Sequence, residues 1–176
     1  MNLPNKLTIA RVIAVPFFIV AYLMQYYAVA LVIFVAASFT DFLDGKIARS
    51  RNLVTNFGKI MDPLADKILV YSALCLFIES ELIAAWMLII ILAREFVIAG
   101  MRTVAASEGT VLAAGMSGKI KTALQMVAVC VMLLGLACPG VPVILKIGYY
   151  IFLAALVMTI YSGCEYVIQN KSVFSM

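Results

Sequence analysis

Four carboxylates stand in two pairs, Asp41 with Asp44 and Asp62 with Asp66, within the stretch DFLDGKIARSRNLVTNFGKIMDPLAD of an otherwise strongly apolar chain. An acidic cluster at the edge of a hydrocarbon environment calls for a cation to offset its cost. On helices the members of each pair lie one turn apart, rising about 4.5 Å and about 6 Å at 1.5 Å per residue. Two such helices side by side aim four carboxylates into one gap. That is an all-oxygen site suited to hard divalent cations such as Mg²⁺ or Mn²⁺. Four carboxylates suffice for two metals roughly 3.5–4 Å apart, an arrangement that can flank an in-line displacement at phosphorus. The competing reading is that the carboxylates are solvated or paired with Lys46, Arg49, Lys59 and Lys67. Doubled helical pairing in so short a stretch argues against it.

Small residues surround the acids. Gly45 follows Asp44, Ala48 lies one turn beyond, and Gly58 lies one turn before Asp62. On facing helices they leave room for close backbone approach or for a flat ligand, although glycine and alanine also serve plain helix packing in membranes. Arg49 is suited to a bidentate grip on phosphate.

The pattern D-x2-D-G-x2-A-R, a spacer of eight residues, then G-x3-D-x3-D resembles the signature of the CDP-alcohol phosphotransferases. Asp41, Asp44, Gly45, Ala48, Arg49, Gly58, Asp62 and Asp66 fill every fixed position. The resemblance runs from about Asn5 to about Gln125. It implies transfer of a phosphatidyl group from CDP-diacylglycerol to an alcohol with release of CMP. It further implies that Asp41, Asp44, Asp62 and Asp66 hold two divalent cations, Mg²⁺ or Mn²⁺. Thr8, Gly45, Ala48, Arg49 and Gly58 would face CDP-diacylglycerol, and Asp66 would also take the proton from the acceptor hydroxyl. With no histidine in the chain, a carboxylate is the remaining candidate base.

The acceptor is read from other residues. Arg94, Arg102, Lys119 and Lys121 form a basic group on the same side of the membrane as the acids, which suits an acceptor carrying its own phosphate. NLPNKLTIAR at the N-terminus, AREF at Ala93–Phe96, Arg102 and GKIKTALQMVA resemble the branch of the family that makes phosphatidylglycerophosphate from sn-glycerol 3-phosphate. Inositol phosphate and serine remain rival acceptors. The cations could instead anchor headgroups, and Arg94 with Glu95 could form an internal ion-pair network that fixes helix packing. A cation transporter is the alternative from another class. A purely structural subunit leaves the four acids without an account.

The elements that must position these groups follow from composition. The chain has 176 residues, 65% of them hydrophobic, and a mean hydropathy of +1.11. These values lie far outside the soluble range. At about 20 residues per span, six helices use the chain with short connections. The expectation is an all-α integral membrane protein, a single domain over residues 1–176, with 41–66 as its catalytic motif. Residues 1–11 read as a short interfacial helix in which Asn5, Lys6, Thr8 and Arg11 share one side, as a surface anchor or as the border of the nucleotide pocket. Spans are expected near 12–27 (with a kink at Pro16), 28–49, 57–78, 82–106, 119–138 and 143–168. The second turns from apolar to charged half-way, so its later half must leave the bilayer or line a wet cavity. In this arrangement twelve of the thirteen Lys and Arg lie on the face of the acids and both termini, with Lys146 opposite. The positive-inside rule then places that face in the cytoplasm of a multi-pass cell-membrane protein. The four cysteines lack metal or disulfide spacing and read as free and packed. Membrane lipid is an expected partner and nucleic acid is not. A homodimer follows from the resemblance alone.

Overall fold

A computed structural model describes the backbone of residues 3–51, 56–107, 109–110, 112–113 and 115–171. Side chains are described from Thr8 to Thr40 and, within those ranges, from Met61 onward except Asp62, Pro63 and Asp66. It is all-helical: α1 (Leu3–Leu23), α2 (Tyr27–Arg51), α3 (Asn56–Glu79), α4 (Ala85–Ser107), α5 (Met116–Ala137) and α6 (Pro142–Gln169). These bounds follow the apolar runs to within a few residues, because the breaks fall where the chain turns polar or meets Pro-Gly-Val-Pro.

The N-terminus differs from expectation. Among the described residues no separate interfacial helix precedes the first span; α1 is one helix of 21 residues. Two of the polar residues in its first half, Thr8 and Arg11, are packed and not solvated. Thr8 is wholly buried and Arg11 is 2% exposed. Arg11 donates through Nε to the carbonyl of Ala37 on α2 at 3.3 Å, so it cannot be a headgroup anchor.

Helices α1, α2 and α3 pack together, α5 joins α2 to α6, and α4 lies against α6 and α3. Phe18, Phe34, Phe77 and Phe152, from α1, α2, α3 and α6, are wholly buried, with the rings of Phe18 and Phe34 5.8 Å apart. The outside is apolar as well. Phe17 (63% exposed), Val32 (67%), Phe96 (71%) and Ile168 (68%) all face outward, an inversion that water would penalise. Helices α5 and α6 are each long and apolar enough to cross a membrane, and the apolar parts of α1 and α2, Thr8–Leu23 and Tyr27–Thr40, are shorter. All four cysteines are free, but Cys75 and Cys164 are exposed and not packed.

Three helix ends close in the same way. Gln25, Glu81 and Gly109 take left-handed backbone angles, with φ of 61°, 57° and 76°. Each sits between a pair of nested backbone bonds, such as Leu82 N–H to Phe77 O with Glu81 N–H to Ile78 O. This is the Schellman closure, which usually takes glycine at the left-handed position. One of these closures, at Glu81, ends α3 and turns the chain toward α4.

The tightest pairing is α5 with α6, and two glycines permit it. A Cβ on Gly135 would lie 2.7 Å from the backbone N and Cα of Leu145, and one on Gly148 would lie 2.9 Å from the backbone N of Met132. Neither backbone can yield without the helices parting. Gly135→Ala is expected to destabilise the protein by about 1–3 kcal/mol. Unfolding of the detergent-solubilised variant checks this, and an unchanged midpoint would refute the close-approach reading.

Candidate active site

Two features meet at one end of the bundle. The first is the carboxylate motif. Asp41 and Asp44 fall in the last three turns of α2, and Asp62 and Asp66 in the first three turns of α3. Only residues 52–55 separate the two helices, so both pairs lie toward the ends joined by that short connection. The side chains of these four residues, and of Gly45, Ala48, Arg49 and Gly58, lie outside the described residues. Thr8 and Arg11 border the same end from α1, since Arg11 reaches Ala37 one turn before Asp41. The hydroxyl of Thr40 donates to the same Ala37 carbonyl at 2.6 Å. Among the described residues no three His, Cys, Asp or Glu come together.

The second feature is a cavity of about 580 Å³ between α4, α5 and α6, within the usual ~300–1,000 Å³ of ligand sites. Its charged lining is Lys67, Arg94, Glu95, Arg102 and Lys119. Lys67 directly follows Asp66 in the chain, so this cavity begins on the turn of α3 where the acidic motif ends. The two features thus adjoin, although the cavity's other residues come from far along the sequence.

Each cation is held differently. Arg94 donates through one terminal nitrogen to Glu95 at 2.9 Å and through the other to the hydroxyl of Ser162 on α6 at 3.1 Å. Its Nε is buried and has no partner among the described residues. Glycines flank it: a Cβ on Gly163 would come within 3.0 Å of its Cγ, and one on Gly118 within 3.1 Å of a terminal nitrogen. Arg102 donates to the hydroxyl of Tyr166 at 3.1 Å. Lys119 is exposed toward the cavity. Ser117, on the rim, donates to Glu165 of α6.

Lys121 stands apart from the other three cations expected to bind the acceptor. It is 3% exposed, does not line the large cavity, and donates to Glu95 at 2.9 Å. Glu95 also takes Lys67 at 3.0 Å through its other oxygen. The ion-pair network weighed for Arg94 and Glu95 is therefore real, and it extends to α3 and α5. Lys67, Ser162 and Tyr166 had no local signal as cavity residues: no spacing within one helix reveals what a residue on another helix, 64 or 68 positions away for Tyr166 and Ser162, supplies.

Chemically, four lining cations, Lys67, Arg94, Arg102 and Lys119, against the one lining carboxylate of Glu95 leave the cavity positive. In a half-buried site that excess is relieved by an anionic ligand. Paired carboxylates beside a basic cavity suit transfer of a phosphorus group to a phosphorylated acceptor.

Comparisons with known proteins agree. The profile of the CDP-alcohol phosphatidyltransferase family matches residues 1–161. A CDP-diacylglycerol–glycerol-3-phosphate 3-phosphatidyltransferase of Bacillus subtilis (strain 168) is 41% identical, covering 96% of this chain and 95% of that protein. Proteins of the same name from Rickettsia felis and Salmonella typhimurium are 37% and 35% identical, covering 98% and 94% of this chain and 97% and 92% of theirs. The chain belongs to the CDP-alcohol phosphatidyltransferase family.

Proposed function

We propose that the protein transfers the phosphatidyl group of CDP-diacylglycerol to sn-glycerol 3-phosphate, giving phosphatidylglycerophosphate and CMP. The observation that carries this reading is the basic cavity opening beside Lys67, at the end of the acidic motif. The names of the similar proteins support the acceptor. The cation-transport alternative has no comparable support.

In this reading the phosphate of the acceptor lies against Arg94, Arg102 and Lys119, and its free hydroxyl points toward α3. Asp66 takes the hydroxyl proton. The acceptor oxygen forms a bond to the phosphorus that carries the diacylglyceryl group, the bond from that phosphorus to the CMP oxygen breaks, and CMP leaves. Thr8, Gly45, Ala48, Arg49 and Gly58 border the nucleotide end. The donor set fits divalent cations, being all carboxylate and paired at helical spacing on adjoining helices. Asp41, Asp44, Asp62 and Asp66 would hold two of them, Mg²⁺ or Mn²⁺. Bound there, the cations supply neutralisation of the pyrophosphate and of charge developing in the transition state. Lys121 supports the cavity from beneath and does not touch the acceptor.

The placement is part of the same proposal. The apolar exterior suits lipid on all sides, with six spans forming one domain over residues 1–176. Both termini and the site face the cytoplasm of the cell membrane, because the basic residues collect there. A homodimer follows from the family resemblance.

The test uses purified protein in detergent with CDP-diacylglycerol, Mg²⁺ or Mn²⁺, and radiolabelled glycerol 3-phosphate. Metal-dependent entry of label into lipid with matching CMP release is the expected result. CMP release only with inositol phosphate or serine would keep the family and discard this acceptor. Folded protein with no CMP release under any condition would overturn the reading.

A further inference from the structure

Glu95 is the one carboxylate among the cavity's charged lining residues, and it binds a cation from each of three helices. Oε2 holds Lys67 of α3 at 3.0 Å, and Oε1 holds both Arg94 of α4 and Lys121 of α5 at 2.9 Å. The two ends of this arrangement differ in exposure. The side chains of Glu95 and Arg94 are each 14% exposed, that of Lys67 is 41% exposed, and that of Lys121 only 4%. One carboxylate thus joins a buried lysine below to two cavity-lining cations above.

Ligand chemistry alone would not put an acid there. A carboxylate on the wall repels the phosphate that the other residues attract. Its presence needs a return, and the geometry supplies one. Arg94 packs closely against two glycines, Gly118 and Gly163, where a Cβ would come within 3.1 Å and 3.0 Å of it, so its stem lies in a close-fitting slot. The bonds to Glu95 and Ser162 set the direction of its fork. Lys67 is a flexible chain one residue from Asp66, and Glu95 holds its ammonium.

We propose that Glu95 is a positioning residue for the acceptor. It orients the Arg94 fork toward the cavity and ties the wall to α3 at the residue after Asp66, so that the acceptor's phosphate and hydroxyl are set at a fixed separation from the motif. This rests on the acceptor reading above. A purely structural alternative exists, in which Glu95 only neutralises the buried Lys121 and the cavity is indifferent to it.

The two are separated by Glu95→Gln, Glu95→Asp and the double variant Glu95→Gln/Lys121→Met. Glu95→Gln leaves Lys121 buried without its anion and is expected to lower the melting temperature in detergent, whereas the double variant removes that stranded charge and recovers it. Positioning predicts that KM for glycerol 3-phosphate rises about tenfold in Glu95→Gln and stays raised in the stability-recovered double variant, as one charge-assisted contact is lost. KM for CDP-diacylglycerol should hold within about twofold, and Glu95→Asp should recover part of the loss. Return of the glycerol 3-phosphate KM to the parent value in the double variant would overturn the proposal, as would an equal rise for both substrates.

A parallel measurement needs no turnover. Thermal stabilisation by inorganic phosphate, titrated on the same proteins, is expected to need about tenfold more phosphate in both variants that carry the Glu95→Gln change. An unchanged phosphate response overturns the role of Glu95 even if the parent enzyme is active. A parent that binds phosphate in a Glu95-dependent way yet releases no CMP would instead overturn the acceptor reading and leave the positioning role standing.

Discussion

Asp66→Asn and Asp62→Asn are each expected to abolish turnover, lowering kcat/KM by at least about 10³-fold in protein that still folds. The substitutions keep side-chain size while removing the negative charge that a hard cation requires. If Asp62 holds a cation and Asp66 both holds one and takes the acceptor proton, the two variants differ in how they respond to metal. Raising Mg²⁺ or Mn²⁺ should recover part of the activity of Asp62→Asn and none of that of Asp66→Asn, since a neutral amide accepts no proton. Stripping the parent protein with a chelator should erase activity, and adding back either cation should restore it. The measurement is CMP release across a metal titration for all three proteins. Parent-like activity in either variant would remove the four carboxylates from the chemistry.

Arg94→Ala is the second large effect. KM for glycerol 3-phosphate should rise about 10- to 100-fold, the equivalent of one to two charge-assisted bonds at ~1.5–3 kcal/mol each. The fold has reason to survive, because Glu95 keeps Lys121 and Lys67 as partners. Arg94→Lys should rescue poorly. A lysine carries the charge, but its single nitrogen cannot bond Glu95 and Ser162 at once from the position that the guanidinium fork spans. Steady-state kinetics with each substrate varied in turn checks this. A rise confined to CDP-diacylglycerol would move Arg94 to the nucleotide side of the site.

What the sequence discloses here depends on range. The helix limits are local, and so is the acidic motif: apolar runs, a Pro-Gly-Val-Pro turn and helical spacing are all visible within a short window. Arg11 shows where locality ends. A cation among Thr, Ile, Ala and Val reads as a surface anchor or as the border of a pocket, and its burial against the carbonyl of Ala37 on another helix is not visible in the run itself. Lys119 and Lys121 make the same point. They share a run and a charge, yet one faces the cavity and the other lies beneath it against Glu95. Nor does the sequence say which of its glycines face a partner helix, whereas Gly135 and Gly148 become obligatory once α5 lies against α6. The motif suggests the reaction, while the wall proposed to hold the acceptor is assembled across helices and is legible only in three dimensions.

The partners of α4 carry a consequence for how the protein is made. Glu95 waits for Lys121, Arg94 for Ser162 and Arg102 for Tyr166, which follow 26, 68 and 64 residues later. Synthesis runs from the N-terminus, so α4 emerges from the ribosome with Arg94 and Glu95 matched only by each other and by Lys67 of α3, and with the Tyr166 partner of Arg102 still to come. The hairpin of α5 and α6, closed by the Gly135 and Gly148 contacts, brings the missing partners nearly together at the end of translation. The last third of the chain, α5 and α6, thus acts as a keystone, and a nascent protein cut short before it would present to the insertion machinery a helix whose charges are only partly matched.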